Sequence, residues 1–470
     1  MHNSRRDFLK VSAGVASVGA LPRLGAQEPG SIPGSIKGWL TYGEQRFAPA
    51  TVAGWRAAGG SSGPAIHLDA SSPKQEILGF GAAFTDASCY LFSQLSAEAR
   101  AQVFAEFFGK SGLNLSVCRT CVGASDYSRN VYSFDESPTP DPTLSRFTIE
   151  HDRAYILPAL REARKVNPEL FLLSTPWSPP GWMKANGSML GGSMRKEYFA
   201  PYAQYFVKFL RAYAQEGVKV DAVSVQNELD ADQNGAMPAC IWGQEYEVDF
   251  VKLHLGPAFQ KAGIDTRIWI IDHNYNLWGR AVDELEDRDV WKYVDGVAWH
   301  GYVGEPASMS RVKEAFPDKH MYWTEGGPMY TEPDYLTGWA KWSETYTGIL
   351  RNWARCIIGW NLALDEHGKP NIGPFECGGV ITINSKTKEL SRSGQYWAFA
   401  HYSKLVQRGA RVIASEGEVE GVSHVAFQNA DGGHVAVLTN TGGRRNVPLR
   451  YGNQATEVTL PASSVLTMSW

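Results

Sequence analysis

Between residues 76 and 408, short apolar and β-branched runs alternate with longer stretches whose apolar positions recur every three or four residues. The short runs, at 77–84, 113–122, 170–175, 222–226, 267–272, 296–300, 321–324 and 357–362, have the length and composition of buried strands. The longer stretches, at 97–108, 154–166, 202–215, 247–261, 280–293, 311–316, 338–355 and 394–407, carry the spacing of one-sided helices. In the third of them Phe206, Phe209, Leu210 and Tyr213 share a face. Eight strand-then-helix units predict an α/β fold, a (β/α)8 barrel. A doubly wound sheet alternates in the same way, but no Gly-x-Gly-x-x-Gly follows the first strand.

After residue 408 the period falls to two. Runs at 411–413, 422–427, 434–438, 446–450, 455–460 and 464–470 are separated by turn signals such as Asp431-Gly432-Gly433 and Thr441-Gly442-Gly443. They predict a small antiparallel β domain, to which segments at 36–41 and 65–68 add strands, with 59–64 as a connecting loop. The expected organisation is a leader over 1–26, sandwich strands within 27–75, the barrel over 76–408 and the rest of the sandwich over 409–470.

Charge and composition narrow the function. A net charge of -4 without a dense Lys/Arg run excludes nucleic acid or an anionic membrane as the main partner. Sixteen Trp and 12% aromatic residues suit a sugar cleft, since sugars stack their C–H faces on rings, although most such rings fill cores. Ser4-Arg5-Arg6-Asp7-Phe8-Leu9-Lys10, the mildly apolar run 11–21 and the small-residue site Leu24-Gly25-Ala26 read as a twin-arginine export signal. That predicts a periplasmic or secreted protein. The apolar run is too short to be an integral membrane span.

Six cysteines are present, and Cys118-Arg119-Thr120-Cys121 has the look of a metal motif. On a strand that odd separation points the two thiols to opposite faces, so structural cysteines are expected. With no His-x-x-x-His and no clustered carboxylates, neither a metal nor a cofactor is expected.

In such barrels the chemistry sits at the C-terminal ends of the strands. Those ends carry Asp86, Asp126, Trp177, Asn227 with Glu228, Asp272 with His273, His300 with Tyr302, Glu325, and Trp360 with Asn361. Glu228 and Glu325 each follow an apolar strand directly, where a charge is costly unless it is used or paired. Strands four and seven face each other across the mouth, and two facing carboxyls are what glycosidic cleavage needs. Structural glutamates paired with Arg or Lys are the plainer alternative. The amide of Asn227 beside Glu228 favours a sugar site.

Four motifs carry a resemblance: Gly79-Phe80-Gly81-Ala82-Ala83-Phe84-Thr85-Asp86, the run Thr175-Pro-Trp-Ser-Pro-Pro-Gly-Trp-Met-Lys184, the Asn227-Glu228 pair, and Trp360-Asn-Leu-Ala-Leu364. In order and spacing the chain resembles glycoside hydrolase family 30, the glucosylceramidase family, from about residue 36 onward. The resemblance implies a barrel with a side β-sandwich built from both ends of the chain. It further implies net retention, with Glu228 as acid/base and Glu325 as nucleophile. Asp126, Trp177, Asn227 and Trp360 match its glycone-pocket residues, and Tyr302, preceded by His300, matches a tyrosine near the nucleophile.

The implied substrate is a β-linked glycoside, met most readily by an exo-acting β-glucosidase or glucosylceramidase-like enzyme. A β-1,6-glucanase or β-xylosidase of the same family is the alternative, and a barrel that binds sugar without cleaving it is an alternative of another class. Loops 187–195, 230–240 and 326–332 depart from the lysosomal enzyme's pattern. Double displacement predicts carboxyls about 5–5.5 Å apart, with the pKa of Glu228 raised while Glu325 is ionised.

Overall fold

The computed structural model describes residues 35–59 and 64–470; the leader reading at 1–26 and most of the expected loop at 59–64 lie outside them. Eight strands, here β1 (Gly79–Phe84), β2 (Val117–Cys121), β3 (Phe171–Thr175), β4 (Ala222–Ser224), β5 (Arg267–Asn274), β6 (Val294–His300), β7 (His320–Glu325) and β8 (Ala354–Asn361), close into a barrel. Every neighbouring pair is parallel, and β8 pairs back onto β1. Helices follow the strands on the outside. Ile156–Val166, for example, buries Ile156, Leu157, Leu160 and Ala163. The stretch expected as one helix over 247–261 is broken into Gln244–Phe250, a π turn at Val251–Leu255, and Gly256–Ala262. At that junction Gly256 packs against the Tyr293 ring, where a Cβ would lie 2.4 Å from ring carbons.

The barrel interior has two layers made by alternate residues of the same strands. The lower one is apolar: Val117, Leu173, Ala222, Trp269, Ala298, Tyr322 and Ile358 form one buried cluster. Two residues further along lie Arg119, Thr175, Ser224, His300, Thr324 and Trp360, all buried and nearly all polar. On β5 the count differs. Ala298 pairs with Ile271 and Trp299 with His273, so Asp272 is an extra residue, and both Ile271 (φ 73°) and Asp272 (φ 45°) are left-handed. This bulge turns Asp272, rather than the apolar Ile271, into the polar layer.

The second domain is a β-sandwich to which Lys37–Tyr42, Gln45–Ala50, Arg56–Ala57 and Ile66–Asp69 join six strands from Arg411 to Ser469. Arg411–Glu416 links its two layers: its first half pairs with Val422–Gln428 and its second with Ile66–Asp69. One pairing departs from the antiparallel expectation, since Ile66–Asp69 runs parallel to Arg445–Tyr451. No hairpin connects those two strands, so no tight turn forces them to run antiparallel. Ala426 and Leu438 face the sandwich core, while Val425, Phe427 and Val437 pack with the barrel's helices. Neither the strands Gln45–Ala50 and Arg56–Ala57 nor the small sheet of Ala363–Leu364, Ile381–Ile383 and Leu390–Arg392 was expected; each strand is six residues or fewer. Among the described residues no helix is long and apolar enough to cross a membrane. All six cysteines are buried and free. Cys118 lies in the outer core and Cys121 in the cluster with Trp177 and Trp360, on opposite faces of β2.

Candidate active site

The polar layer is organised by a residue that sequence reasoning passed over. Arg119, fully buried on β2, donates from Nη1 to Glu325 Oε2. Its Nη2 donates to Asn227 Oδ1 and to Asp272 Oδ2, each at 2.8 Å, and its Nε to Thr175 Oγ1 at 3.2 Å. Its guanidinium also lies 4.6 Å from the centre of the Trp177 ring. A fork of five fixed donors meets acceptors from four other strands or strand ends, a role Lys cannot fill. The available signal was a charged residue between two cysteines in an otherwise buried strand.

Asp272 is the second hub. Its Oδ2 also accepts from Thr175 and Ser224, and its Oδ1 accepts from Thr324 Oγ1 at 2.7 Å and meets His300 Nε2 at 3.1 Å. Burial would raise its pKa, but Arg119 and His300 hold it far below the usual carboxylate range. The other ring nitrogen of His300, Nδ1, lies 3.2 Å from Glu228 Oε1 and 4.0 Å from Glu325 Oε1. Burial opposes its charge, yet Glu325, Asp272 and Glu228 raise its pKa to about 9.

Both glutamates stand in this frame. Glu228, itself left-handed at φ 47°, has Oε2 bonded by Gln233 Nε2 at 3.2 Å. Glu325 accepts from Arg119 on one oxygen and from the Tyr302 hydroxyl, at 3.1 Å, on the other. One oxygen of each carboxylate and a ring nitrogen of His300 lie within 4.8 Å of one another.

The expected order of acidities is reversed in the resting site. Burial raises the pKa of Glu228, but the hydrogen bond and charge of His300 outweigh it and hold the group below its ordinary value. Burial pushes Glu325 up, against the pull of His300 and Arg119. The physical reason is His300, whose ring touches Glu228 more closely than Glu325.

The remaining candidates line the same mouth. Trp177 and Trp360 stack with ring centres 5.0 Å apart and planes 21° apart, both almost fully buried. Asp126 is 3% exposed, and its Oδ1 is buried without a hydrogen-bond partner. Burial, Glu325 and Glu228 push its carboxyl well above the usual range. Such an atom is costly unless a ligand satisfies it. Tyr302 is half exposed at the rim. Asp86, read from sequence as facing the mouth, instead opens the helix Asp86–Ser93, where its carboxylate meets His151 Nε2 at 2.6 Å and accepts from the Tyr155 hydroxyl and Arg129 N–H.

Residues 77–406 match the glycosyl hydrolase family 30 TIM-barrel domain, and residues 409–468 match that family's beta sandwich domain. An endo-1,6-beta-D-glucanase of Neurospora crassa is 32% identical over 413 residues, covering 84% of this chain and 82% of its own. The lysosomal acid glucosylceramidase of Mus musculus is 28% identical over 435 residues, covering 87% and 84%. Among solved structures, the endo-beta1,6-glucanase BT3312 superposes with a TM-score of 0.84 at 29% identity, over 93% of this chain and 99% of that one.

Proposed function

The chain belongs to glycosyl hydrolase family 30 and is an enzyme that cleaves glycosidic bonds; from that premise we propose that it is a retaining hydrolase of β-1,6-linked glucan. The observation that carries retention is the spacing of Glu228 and Glu325. Oxygens within 4.8 Å suit direct attack on the sugar, whereas inverting enzymes leave about 6.5–9.5 Å for a water. The substrate rests on the similarity to the Neurospora enzyme and to BT3312.

Glu325 attacks the anomeric carbon while Glu228 protonates the departing oxygen. Both oxygens of Glu325 accept hydrogen bonds, from Arg119 and Tyr302, which offset part of the push of burial toward the neutral form and support the carboxylate that a nucleophile needs. The proton for Glu228 resides in its contact with His300. Asp272 on Nε2 and Glu228 on Nδ1 stabilise the imidazolium, and a shift along the 3.2 Å contact leaves neutral His300 and a carboxylic acid. Once Glu325 is esterified, Glu228 takes a proton from water and the ester is hydrolysed. Asn227 gives its carbonyl to Arg119, leaving its NH2 for the sugar 2-hydroxyl. Asp126 accepts from glycone hydroxyls, and Trp177 and Trp360 form the apolar wall.

A second reading, an exo-acting β-glucosidase or glucosylceramidase-like enzyme, is favoured by the similarity to the mouse enzyme. The two separate in one panel: β-1,6-glucan polymer, gentio-oligosaccharides, an aryl β-glucoside, an aryl β-xyloside and glucosylceramide, with anomer-resolved NMR of the first product. The proposal expects polymer cleavage to β-configured oligosaccharides. Release of glucose from glucosylceramide with an inert polymer would sink it, and an α-configured first product would sink retention. Twin-arginine export to the periplasm or medium completes the proposal; a chain with Arg5→Lys and Arg6→Lys that still leaves the cytoplasm would refute it.

A further inference from the structure

The bulge on β5 brings two consecutive residues to the surroundings of one glutamate, Asp272 behind His300 and His273 beside Glu228 itself. Strand alternation would send Asp272 and His273 to opposite faces. With Ile271 and Asp272 both left-handed, His273 instead stays buried at 7% exposure, its Nε2 3.6 Å from Glu228 Oε1. That oxygen already meets His300 Nδ1 at 3.2 Å. The far nitrogen of His273, Nδ1, lies in an ion-pair contact, rather than an aligned hydrogen bond, with Asp230 of the loop after β4. Glu228 therefore stands under two imidazoles, each backed by its own aspartate: Asp272 behind His300 and Asp230 behind His273. Two consecutive left-handed non-glycine residues are strained, and the strain that delivers Asp272 also delivers His273.

We propose that His273, supported by Asp230, is a positioning residue for Glu228 that sharpens its action as an acid toward leaving groups that depart poorly without a proton, such as the alcohol of a glucan chain. The inference rests on the reading of Glu228 as acid/base. His273 Nε2, 3.6 Å from Oε1, confines the carboxyl laterally, while Gln233 holds Oε2. Together with His300 it lowers the pKa of Glu228, which favours release of the proton to the departing oxygen and the carboxylate that must accept one from water afterwards. The charged and titratable groups facing Glu228 are His273 and Asp272 from β5, His300 from β6, Glu325 from β7, Arg119 from β2, Asp126 beyond it, the Tyr302 hydroxyl and the Cys377 thiol. Those facing His273 are Asp230, Glu228 and His300, with Arg280 acting on Asp230. The Asp230–His273 pair meets the His300 ring edge but makes no hydrogen bond to Arg119, Asp272 or His300, so it can be altered while their bonds to one another stay.

The test compares kcat/KM on gentiobiose with kcat/KM on 2,4-dinitrophenyl β-glucoside, whose leaving group needs no proton. For His273→Ala the expected loss is about tenfold larger on gentiobiose than on the activated glucoside, and the alkaline limb of the profile moves to higher pH. His273→Gln, which keeps an N–H near Nε2 but cannot take up a proton, should recover much of the loss on gentiobiose but not the position of the limb. Asp230→Asn, at a partly exposed site that tolerates the change, should show the same leaving-group bias in smaller measure. Equal losses on both substrates with an unmoved limb, in whichever of these variants folds, would make His273 a structural residue and overturn the inference. A separate control, Glu228→Ala with azide on the activated glucoside, reports on the underlying reading. If azide rescues it and the leaving-group bias of His273→Ala is missing, only the inference falls; if azide fails to rescue, the role of Glu228 itself falls.

Discussion

The two layers of the barrel interior are built from the same strands, two residues apart, and they do opposite things. Val117, Leu173, Ala222, Trp269 and Tyr322 fill the lower layer with apolar volume. Arg119, Thr175, Ser224, Asp272 and Thr324 fill the upper one with a hydrogen-bonded charge network. The lower layer carries few polar side-chain atoms, and the two largest rings satisfy theirs at its edge, where Trp269 Nε1 and the Tyr322 hydroxyl both donate to Asp295. The upper layer tolerates four buried charges because Arg119, Asp272, His300 and Glu325 satisfy one another. The lesson is that stability and reactivity are divided by depth along the barrel axis, so substitutions in the two layers should fail differently.

The largest effect is expected at Glu325→Gln, which keeps the shape and removes the carboxylate proposed as the nucleophile. Turnover should fall by about 10⁴-fold or more, read on an aryl glycoside, with melting little changed; activity within tenfold of the parent would refute the nucleophile assignment. Arg119→Met should damage both properties. It leaves Asp272 and Glu325 buried without their cation, at about 3–5 kcal/mol of stability, and it frees Glu325 to move. Urea unfolding and kcat together would show this, and a loss confined to stability would contradict the role given to the upper layer.

Leu173→Ala is the counterpart below. A cost of about 2–5 kcal/mol is expected in urea, with kcat on the folded fraction within about twofold of the parent. A drop in kcat as deep as that of Arg119→Met would erase the distinction between layers.

The smallest effect concerns pH. His300 has its pKa raised to about 9 by Glu325, Asp272 and Glu228 against its burial. Its stabilising contribution is therefore complete below the unfolded value of about 6.5 and lost as pH rises through about 9. Denaturation midpoints of the parent should fall across that window, and His300→Asn should flatten the fall. Burial pushes the lower layer's ionisable groups, Tyr322 and Cys356, upward and away from that window, so Leu173→Ala should keep the parent's slope.

Much of the fold was legible in the chain because it is written in local periods. Apolar runs, helical spacing and the change to twofold alternation after residue 408 located all eight barrel strands and the C-terminal strands of the sandwich. The strands missed, Gln45–Ala50 and Arg56–Ala57, are short and little buried, so they carry almost no pattern. Strand ends marked Asn227, Glu228, His300 and Glu325 as candidates, and the structure brings them together with Tyr302, Asp126, Trp177 and Trp360. Asp86 also sits at a strand end, but it turns into a helix and pairs with His151.

What the sequence determined by itself was the architecture and the identity of the two facing glutamates, because hydrophobic period and position after a strand are properties of contiguous residues. What only the tertiary structure decided was who holds them. Arg119 reaches Glu325, Asn227 and Asp272 across the barrel, between residues 108 to 206 positions apart in the chain. Those meetings depend on how the strands are staggered and where β5 inserts its extra residue. No local pattern encodes that, since a bulge of one residue changes which neighbour faces the centre without changing the composition of the strand.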